Sequence, residues 1–284
     1  FRRNDHSQRL VRWLSWLSLS TRQIWRAMIH LTDSGFPFGT IVVAAAIQPR
    51  YYEFHLSLDA LAAPQGTKLH IERSCDIAQN FNNGIKKMIG DWVWLLGDDH
   101  SFAPTLLMRL LNHNVDVVIP ITPTKVPPWA PCVLHGPGDG SWHPEMPLYR
   151  WDELSGDGLK ALPYGDFIGQ AGMLVRKHVF DKIGYPWFKC GQIDPGRLQE
   201  DLTFCREVQR LGYTVWLDQD VVFDHHAPIC VTARKFEGNW VPALKAGTGS
   251  VCIMPEAKHK PIDLHSHYTA ESRIKWIDES AHAT

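Results

Sequence analysis

Two nucleotide-binding signatures are missing from this sequence. No G-x-G-x-x-G follows the first apolar strand pattern, and no G-x-x-x-x-G-K-[ST] occurs anywhere. The dinucleotide fingerprint and the phosphate-binding loop are therefore both excluded. A charge excess of either sign is missing too. A net charge of −1 and a pI near 7.0 create no overall field that would recruit nucleic acid or an anionic membrane. The six Cys, at 75, 132, 190, 205, 230 and 252, form no C-x-x-C and no zinc-ligand spacing. They read as thiols of a reduced compartment, which makes a cytoplasmic location the expectation. No uninterrupted apolar run is long enough to span a bilayer. Arg12 breaks the N-terminal apolar run and so argues against a secretory signal peptide. The chain opens on Phe1 rather than Met, so an incomplete N-terminus is expected.

What is present fits a globular protein. The 284 residues suffice for one large α/β domain or two small ones, and 44% hydrophobic with 21% charged residues are ordinary values. Twelve Trp and fifteen His exceed an average domain's share. Trp suits stacking on sugars or bases, although most are expected in the core. Residues 1–38 stand apart as a basic amphipathic helical extension. Leu10, Trp13, Leu14 and Leu17 recur at helical spacing, beside Arg2, Arg3, Arg9, Arg12, Arg22 and Arg26. Within residues 1–31 this segment can lie on a membrane surface or a partner. Packing against its own domain is the plainer alternative. Residues 35–39 read as a hinge into a main domain spanning 39–229.

The main domain opens as β-α-β-α-β. Residues 40–47 are small and β-branched, ending at Gln48-Pro49-Arg50. Residues 51–61 place Phe54, Leu58 and Leu61 on one helix face. Residues 67–71 form a strand, followed by Arg73 and by a helix with Ile77, Phe81, Ile85 and Met88 in register. The third strand, Trp92-Val93-Trp94-Leu95-Leu96, is continuously apolar, as a strand covered on both faces must be. This order implies a parallel, doubly wound sheet. Just past that strand come Gly97-Asp98-Asp99-His100, where open α/β sheets place their ligands. Adjacent carboxylates repel unless something cationic lies beside them, and a hard divalent metal is the natural neutraliser. Capping of the helix that starts near Pro104 is the plainer use for the Asp pair.

Leu106, Leu107, Leu110 and Leu111 give the next helix one apolar face, and residues 115–119 form another buried strand. Residues 120–165 are rich in Pro, Gly and Trp, the composition of a functional loop or substrate-binding insertion. Residues 167–175 read as a strand interrupted by glycines, from close ligand approach or from a bulge. Glu200 and Asp201 open a helix that buries Leu202, Cys205, Val208 and Leu211. One acid there can be a cap; two are less readily explained that way. Strands over 213–217 and 221–223 lead to His225 and His226. In the C-terminal extension, 230–284, residues 240–241 and 251–254 can pair as a hairpin, and His259, His265, His267 and His282 are expected to be solvated.

The ordered set of Gln48-Pro49-Arg50, Gly97-Asp98-Asp99-His100, Glu200-Asp201 and His225 resembles the GT-A-fold glycosyltransferases, most closely the family 2-like ones, over about residues 40–230. The resemblance implies a Rossmann-like, mostly parallel sheet flanked by helices, with a small C-terminal β or irregular tail. It also implies transfer of a hexose from a UDP- or GDP-sugar to a hydroxyl acceptor, with Mn²⁺ or Mg²⁺ as cofactor. In that family a D-x-D motif holds the cation and the ribose-diphosphate. Aligned on Phe102-x-Pro104, the triplet here is Gly97-Asp98-Asp99, with Gly in place of the first Asp. Asp99 then matches the metal-binding Asp, and Asp98 takes the ribose contact. The alternative triplet, Asp98-Asp99-His100, puts His100 on the metal. The family's later metal-binding His matches His225, with His226 competing. Asp201 matches the catalytic base and Glu200 its neighbour facing the acceptor. Gln48, Arg50 and Arg73 fall where the family contacts the nucleotide. Residues 169–172 and 185–188, including Gly172 and Trp187, fall where the acceptor pocket is shaped.

Two other classes compete. A nucleotidyltransferase would want a Gly-rich, basic loop after the first strand, and Gln48-Pro49-Arg50 is not one. A non-catalytic nucleotide-sugar-binding module is what loss of the first Asp would look like, but Glu200, Asp201 and His225 argue against it. The acceptor can be a glycan, lipid, protein or small molecule. A nucleic-acid acceptor is disfavoured by the near-neutral charge, although the basic N-terminal segment offers a phosphate contact.

Overall fold

The structure is a computed structural model and describes residues 29–46, 51–74, 76–125, 127–143, 145–189, 200–227, 230–236, 238–246, 249–253 and 274–276. Gln48, Arg50, the part of the expected N-terminal extension before residue 29 and the four C-terminal histidines lie outside the described residues.

The described chain begins with β1 (His30–Thr32), β2 (Thr40–Ala45), α1 (Tyr52–Asp59), β3 (Ala62–Pro64), β4 (Lys68–Arg73), α2 (Ile77–Ile85), β5 (Trp92–Gly97) and β6 (His100–Ser101). It continues with α3 (Leu106–Asn112), β7 (Val117–Ile121), β8 (Val133–Leu134), β9 (Leu159–Ala161), β10 (Phe167–Ile168), β11 (Leu174–Arg176), α4 (Lys177–Ile183) and α5 (Glu200–Arg210). It ends with β12 (Val215–Val222), β13 (Asp224–His225), β14 (Cys230–Phe236), β15 (Asn239–Ala246), β16 (Gly249–Ile253) and β17 (Ile274–Trp276).

The uninterrupted apolar strands are explained by two cores. Successive side chains of a strand point to opposite faces. Val42, Ala44, Val93 and Leu95 therefore enter one core, with Phe81 and Ile85 of α2, Phe180 of α4 and Phe204 of α5. Ile41, Val43, Trp92, Trp94 and Leu96 enter the other, with Phe54 and Leu58 of α1 and the leucines of α3. Each fully buried Leu, Ile or Phe contributes roughly 1.5–3 kcal/mol relative to exposure. The large sheet runs β4-β2-β5-β11-β7-β12-β9. β4, β2 and β5 are parallel, as the opening β-α-β-α-β predicts, and β7 and β12 share their direction; β11 and β9 run against them. The architecture is a large, mostly parallel sheet with helices on both faces.

Several local expectations change. Residues 167–175 are not one strand: β10 pairs with β8 in a separate ribbon, while β11 inserts antiparallel between β5 and β7. The two strands expected over 213–223 are one, β12, with an irregularity between Asp218 and Val222. Ile77 is exposed, and Ala78 takes its place in the core. The C-terminal hairpin is real but shifted. β15 pairs with β16 from Ala243↔Cys252 to Ala246↔Gly249, whereas Trp240 and Val241 pair with Lys235 and Arg234 of β14. These strands belong to a second, antiparallel sheet, β17-β16-β15-β14-β13-β6, which starts at the tip of β5. Nearer the start of the described chain, β1 pairs in parallel with β3, so residues 30–32 are hydrogen-bonded to the main body.

The irregularity in β12 has a charge at its base. Asp218 is fully buried and accepts from Arg109 of α3, from Nε at 2.6 Å and Nη2 at 2.9 Å, with His113 Nε2 at 2.7 Å. Burial alone would raise its pKa, but Arg109 and then His113 outweigh burial and hold it below the usual carboxylate value. Arg109→Met should cost about 2 kcal/mol, the scale of a hydrogen bond to a charged group. A carboxylate with a depressed folded pKa stabilises above its unfolded pKa and loses that contribution as pH falls through the folded value. In urea titrations, the gap between wild type and variant should therefore be full at pH 7 and shrink below about pH 4.

Candidate metal and acid centre

Sheet register builds the first half of the site. β5 ends at Gly97, Asp98 and Asp99 occupy the turn, and β6 leaves in antiparallel pairing with β13. His225 lies directly opposite His100, so two imidazoles far apart in sequence stack with centroids 4.4 Å apart. Asp224 staples the arrangement by accepting from Ser101 Oγ at 3.3 Å and from Thr232 Oγ1 of β14. The backbone N–H of His226 donates to Asp99 O at 2.7 Å. Alternation then separates the two histidines. His225 faces Asp99, whereas the His226 ring meets Ser101 Oγ at 2.9 Å and packs 5.4 Å from Tyr51. His225→Ala should weaken Mn²⁺ binding by about tenfold or more, and His226→Ala far less, as read by titration calorimetry. A larger loss from His226→Ala would move the ligand one residue on.

The electrostatics suit a cation. His225 Nδ1 lies 2.7 Å from Pro123 O. A carbonyl only accepts, so Nδ1 carries the proton and Nε2 presents a lone pair, 4.0 Å from Asp99 Oδ2. Burial first, then the neighbouring His100, push the His225 pKa down to about 3, so the ring stays neutral. For Asp99, burial acts upward, but His100 and then Lys125 outweigh it and hold the carboxyl well below the usual range. His100 Nδ1 lies 2.9 Å from Asp99 Oδ1. His100 Nε2 is buried with no hydrogen-bond partner, an orphan that a metal would satisfy. One ligand atom each from Asp99, His100 and His225 lie within 4.8 Å of one another. This donor set fits a divalent ion.

Gly97 belongs to this geometry. A Cβ there would lie 2.8 Å from Asp99 Oδ1 and 3.2 Å from His100 Nδ1. The glycine that replaces the first acid of the resemblance thus clears the space into which Asp99 and His100 fold. Neither Asp caps the next helix: the residue before it, Thr105, makes no side-chain cap, and Asp98 Oδ2 instead accepts from Ala46 N at 2.8 Å. That bond ties the tip of β5 to the end of β2. Arg73, paired with Ala45 at the end of β4, is exposed on the same sheet edge. Lys125, whose Nζ contacts Asp99 Oδ2, was not singled out by sequence. Its one signal was a lone cation in a Pro-rich loop just after a buried strand.

The second half of the site is acidic. Asp201 lies in the first turn of α5 and accepts from Leu202 N at 2.7 Å. The Asp201 residue is partly buried. Burial first, then Glu200, push its pKa up to about 7. Burial also raises Glu200, with Asp76 adding to it. Gly169 is the glycine beside the acid: a Cβ there would lie 3.3 Å from Asp201 Oδ2. Gly172 instead is buried between β5 and Phe223, with φ +78° and no room for a Cβ, which would lie 2.6 Å from the Phe223 ring. Trp187 donates its indole N–H to Phe180 O at 2.9 Å, and no described contact joins it to Asp201 or Asp99. Its neighbour Phe188 stacks on Phe204 of α5. Cys132 links the halves. Burial and then Asp201 push its thiol up to about 12, and Lys125 acts on it in the opposite sense. Thr122 and Gln170, next to Pro123 and Gly169, each carry a buried polar atom with no partner, as His100 does. Such atoms are commonly satisfied by a ligand or water.

No family profile matches the sequence, and no curated protein matches it. Among solved structures, one match is GalNAc-T7 crystallised with UDP, GalNAc and Mn²⁺, at 11% identity and a TM-score of 0.40. The match covers 68% of this chain and 44% of that one, so this chain spans under half of that structure's length.

Proposed function

We propose that this chain is a metal-dependent glycosyltransferase of the GT-A type, moving a sugar from a UDP- or GDP-sugar to a hydroxyl acceptor. The observation that carries the reading is the Asp99–His100–His225 cluster at the C-terminal end of a parallel strand. A divalent cation held there would offset the charge that gathers on a departing diphosphate. Two imidazoles and one carboxylate favour Mn²⁺ over Mg²⁺, which prefers an all-oxygen shell. Asp98, Arg73, Gln48 and Arg50 are read as donor contacts, because they fall where the glycosyltransferases that the sequence resembles contact the nucleotide. Asp201 is read as the base that takes the acceptor's proton, with Glu200 orienting the acceptor. The acceptor is then expected against Gly169, whose missing side chain leaves room beside Asp201 Oδ2, with Gly172 and Trp187 shaping the pocket through packing. Residues 39–229 form the catalytic unit in this reading, extended by the sheet beyond 230. A cytoplasmic setting, with membrane or partner contact through residues 1–31, completes it. Among the described residues, no helix is long and apolar enough to cross a membrane.

Incubation with a panel of UDP- and GDP-sugars and Mn²⁺ tests the proposal. Slow release of sugar from one donor, abolished by chelation, is the expected result. Pyrophosphate release from nucleoside triphosphates would mark a nucleotidyltransferase instead. Donor binding without turnover, with any acceptor class supplied, would mark a binding module.

A further inference from the structure

Asp99 already has a cation. Lys125 Nζ contacts Asp99 Oδ2, the oxygen that faces His225 Nε2 at 4.0 Å, while Oδ1 faces His100. The ammonium therefore sits on the carboxylate oxygen that a metal shared with His225 would need. The loop that brings it is held at its base, with Cys132 N donating to Thr122 O at 2.7 Å and Thr124 N to Ala130 O at 2.8 Å. Two residues before the lysine, Pro123 O orients His225. One loop thus presents the metal-facing nitrogen through a fixed carbonyl and blocks the carboxylate through a flexible four-carbon stem. The lysine side chain is one-third exposed while Asp99 is nearly enclosed, so the stem has room to leave.

We infer that Lys125 is a tethered counter-ion that occupies Asp99 in the free protein and competes with the divalent cation for it, being released onto the donor's diphosphate when the site fills. This rests on the metal reading above. An ammonium and a divalent ion cannot share one carboxylate oxygen without strong repulsion, and a diphosphate is an anion that would receive the displaced charge. The free protein would then bind metal weakly, and metal and nucleotide would enter together.

The test is manganese titration calorimetry on the full chain without nucleotide, so that no turnover is involved. Lys125→Met keeps the stem and removes the charge, and should tighten Mn²⁺ binding by about tenfold or more, because a charge-assisted hydrogen bond no longer has to be displaced. Lys125→Arg keeps the charge and grips a carboxylate with a planar fork, so its Mn²⁺ affinity should equal or fall below wild type. Unchanged or weaker binding by Lys125→Met, or tighter binding by Lys125→Arg, overturns the inference and leaves the metal site standing. Absence of Mn²⁺ binding by wild type and both variants overturns the metal site as well. Should the methionine variant fail to fold, Lys125→Gln removes the same charge and should tighten Mn²⁺ binding likewise; unchanged or weaker binding by the folded glutamine variant overturns the inference.

Discussion

Asp201→Asn is expected to lower turnover by about a hundredfold or more, the usual range for a lost general base, while leaving the fold and UDP affinity unchanged. Asparagine keeps the size and the oxygen that accepts from Leu202 N. Loss of rate without loss of fold would therefore separate a base from a helix cap. The pH dependence sharpens the test. From sequence, the helix N-terminus predicts an acid kept ionised by the helix dipole. In the structure, burial and then the Glu200 charge outweigh that effect and lift the pKa to about 7. The base-competent form is the carboxylate, so the wild-type rate should rise with pH through about 7 and level off above. Asp201→Asn should lose that limb. Stability runs the other way. An acid whose folded pKa is raised binds more protons folded than unfolded between its usual value and about 7. Its contribution is present at low pH and is lost as pH rises through that window. Melting curves at pH 5 and pH 8.5 should show a smaller difference for the variant than for wild type. Near-normal turnover by Asp201→Asn would remove it as the base and favour a mechanism that does without one, as in a retaining transferase.

Asp99→Ala is expected to abolish the Mn²⁺ dependence of UDP binding. The remaining donors would be His100 and His225, two imidazoles with no anionic ligand between them. A hard cation holds weakly to such a pair, and the freed Lys125 would add repulsion nearby. Calorimetric titration of UDP with and without Mn²⁺ reads this directly. Wild type should bind more tightly with the ion, and the variant should bind equally in both conditions. A variant that keeps the full metal effect would exclude Asp99 as a ligand. A wild type that binds UDP tightly without metal would point to Lys125 as the diphosphate's counter-charge.

Residue pattern alone was enough for the frame. The run from Trp92 to Leu96 announced a strand covered on both faces, and the two cores on either side of β5 are the reason it could carry no polar residue. The alternation of strand and helix spacing up to Asp99 was sufficient to imply parallel β4, β2 and β5, because each crossover there is local in sequence. The acids at 98, 99, 200 and 201 were visible because charged pairs at the ends of apolar elements have few plain uses. What pattern could not supply was anything set by pairing between distant segments. β11 reads like any apolar strand, and only its neighbours decide that it runs antiparallel between β5 and β7. His225 and His226 are indistinguishable until the register of β13 against β6 puts one beside Asp99 and the other beside Ser101. Gly97 read as a lost ligand until the folded turn filled its space with Asp99 and His100. Lys125, 26 residues beyond Asp99, gained its meaning only when the loop after β7 folded back over the tip of β5. Local periodicity is written in neighbouring residues, whereas charge contacts and register depend on chain closure over long loops, and these the tertiary structure alone decided.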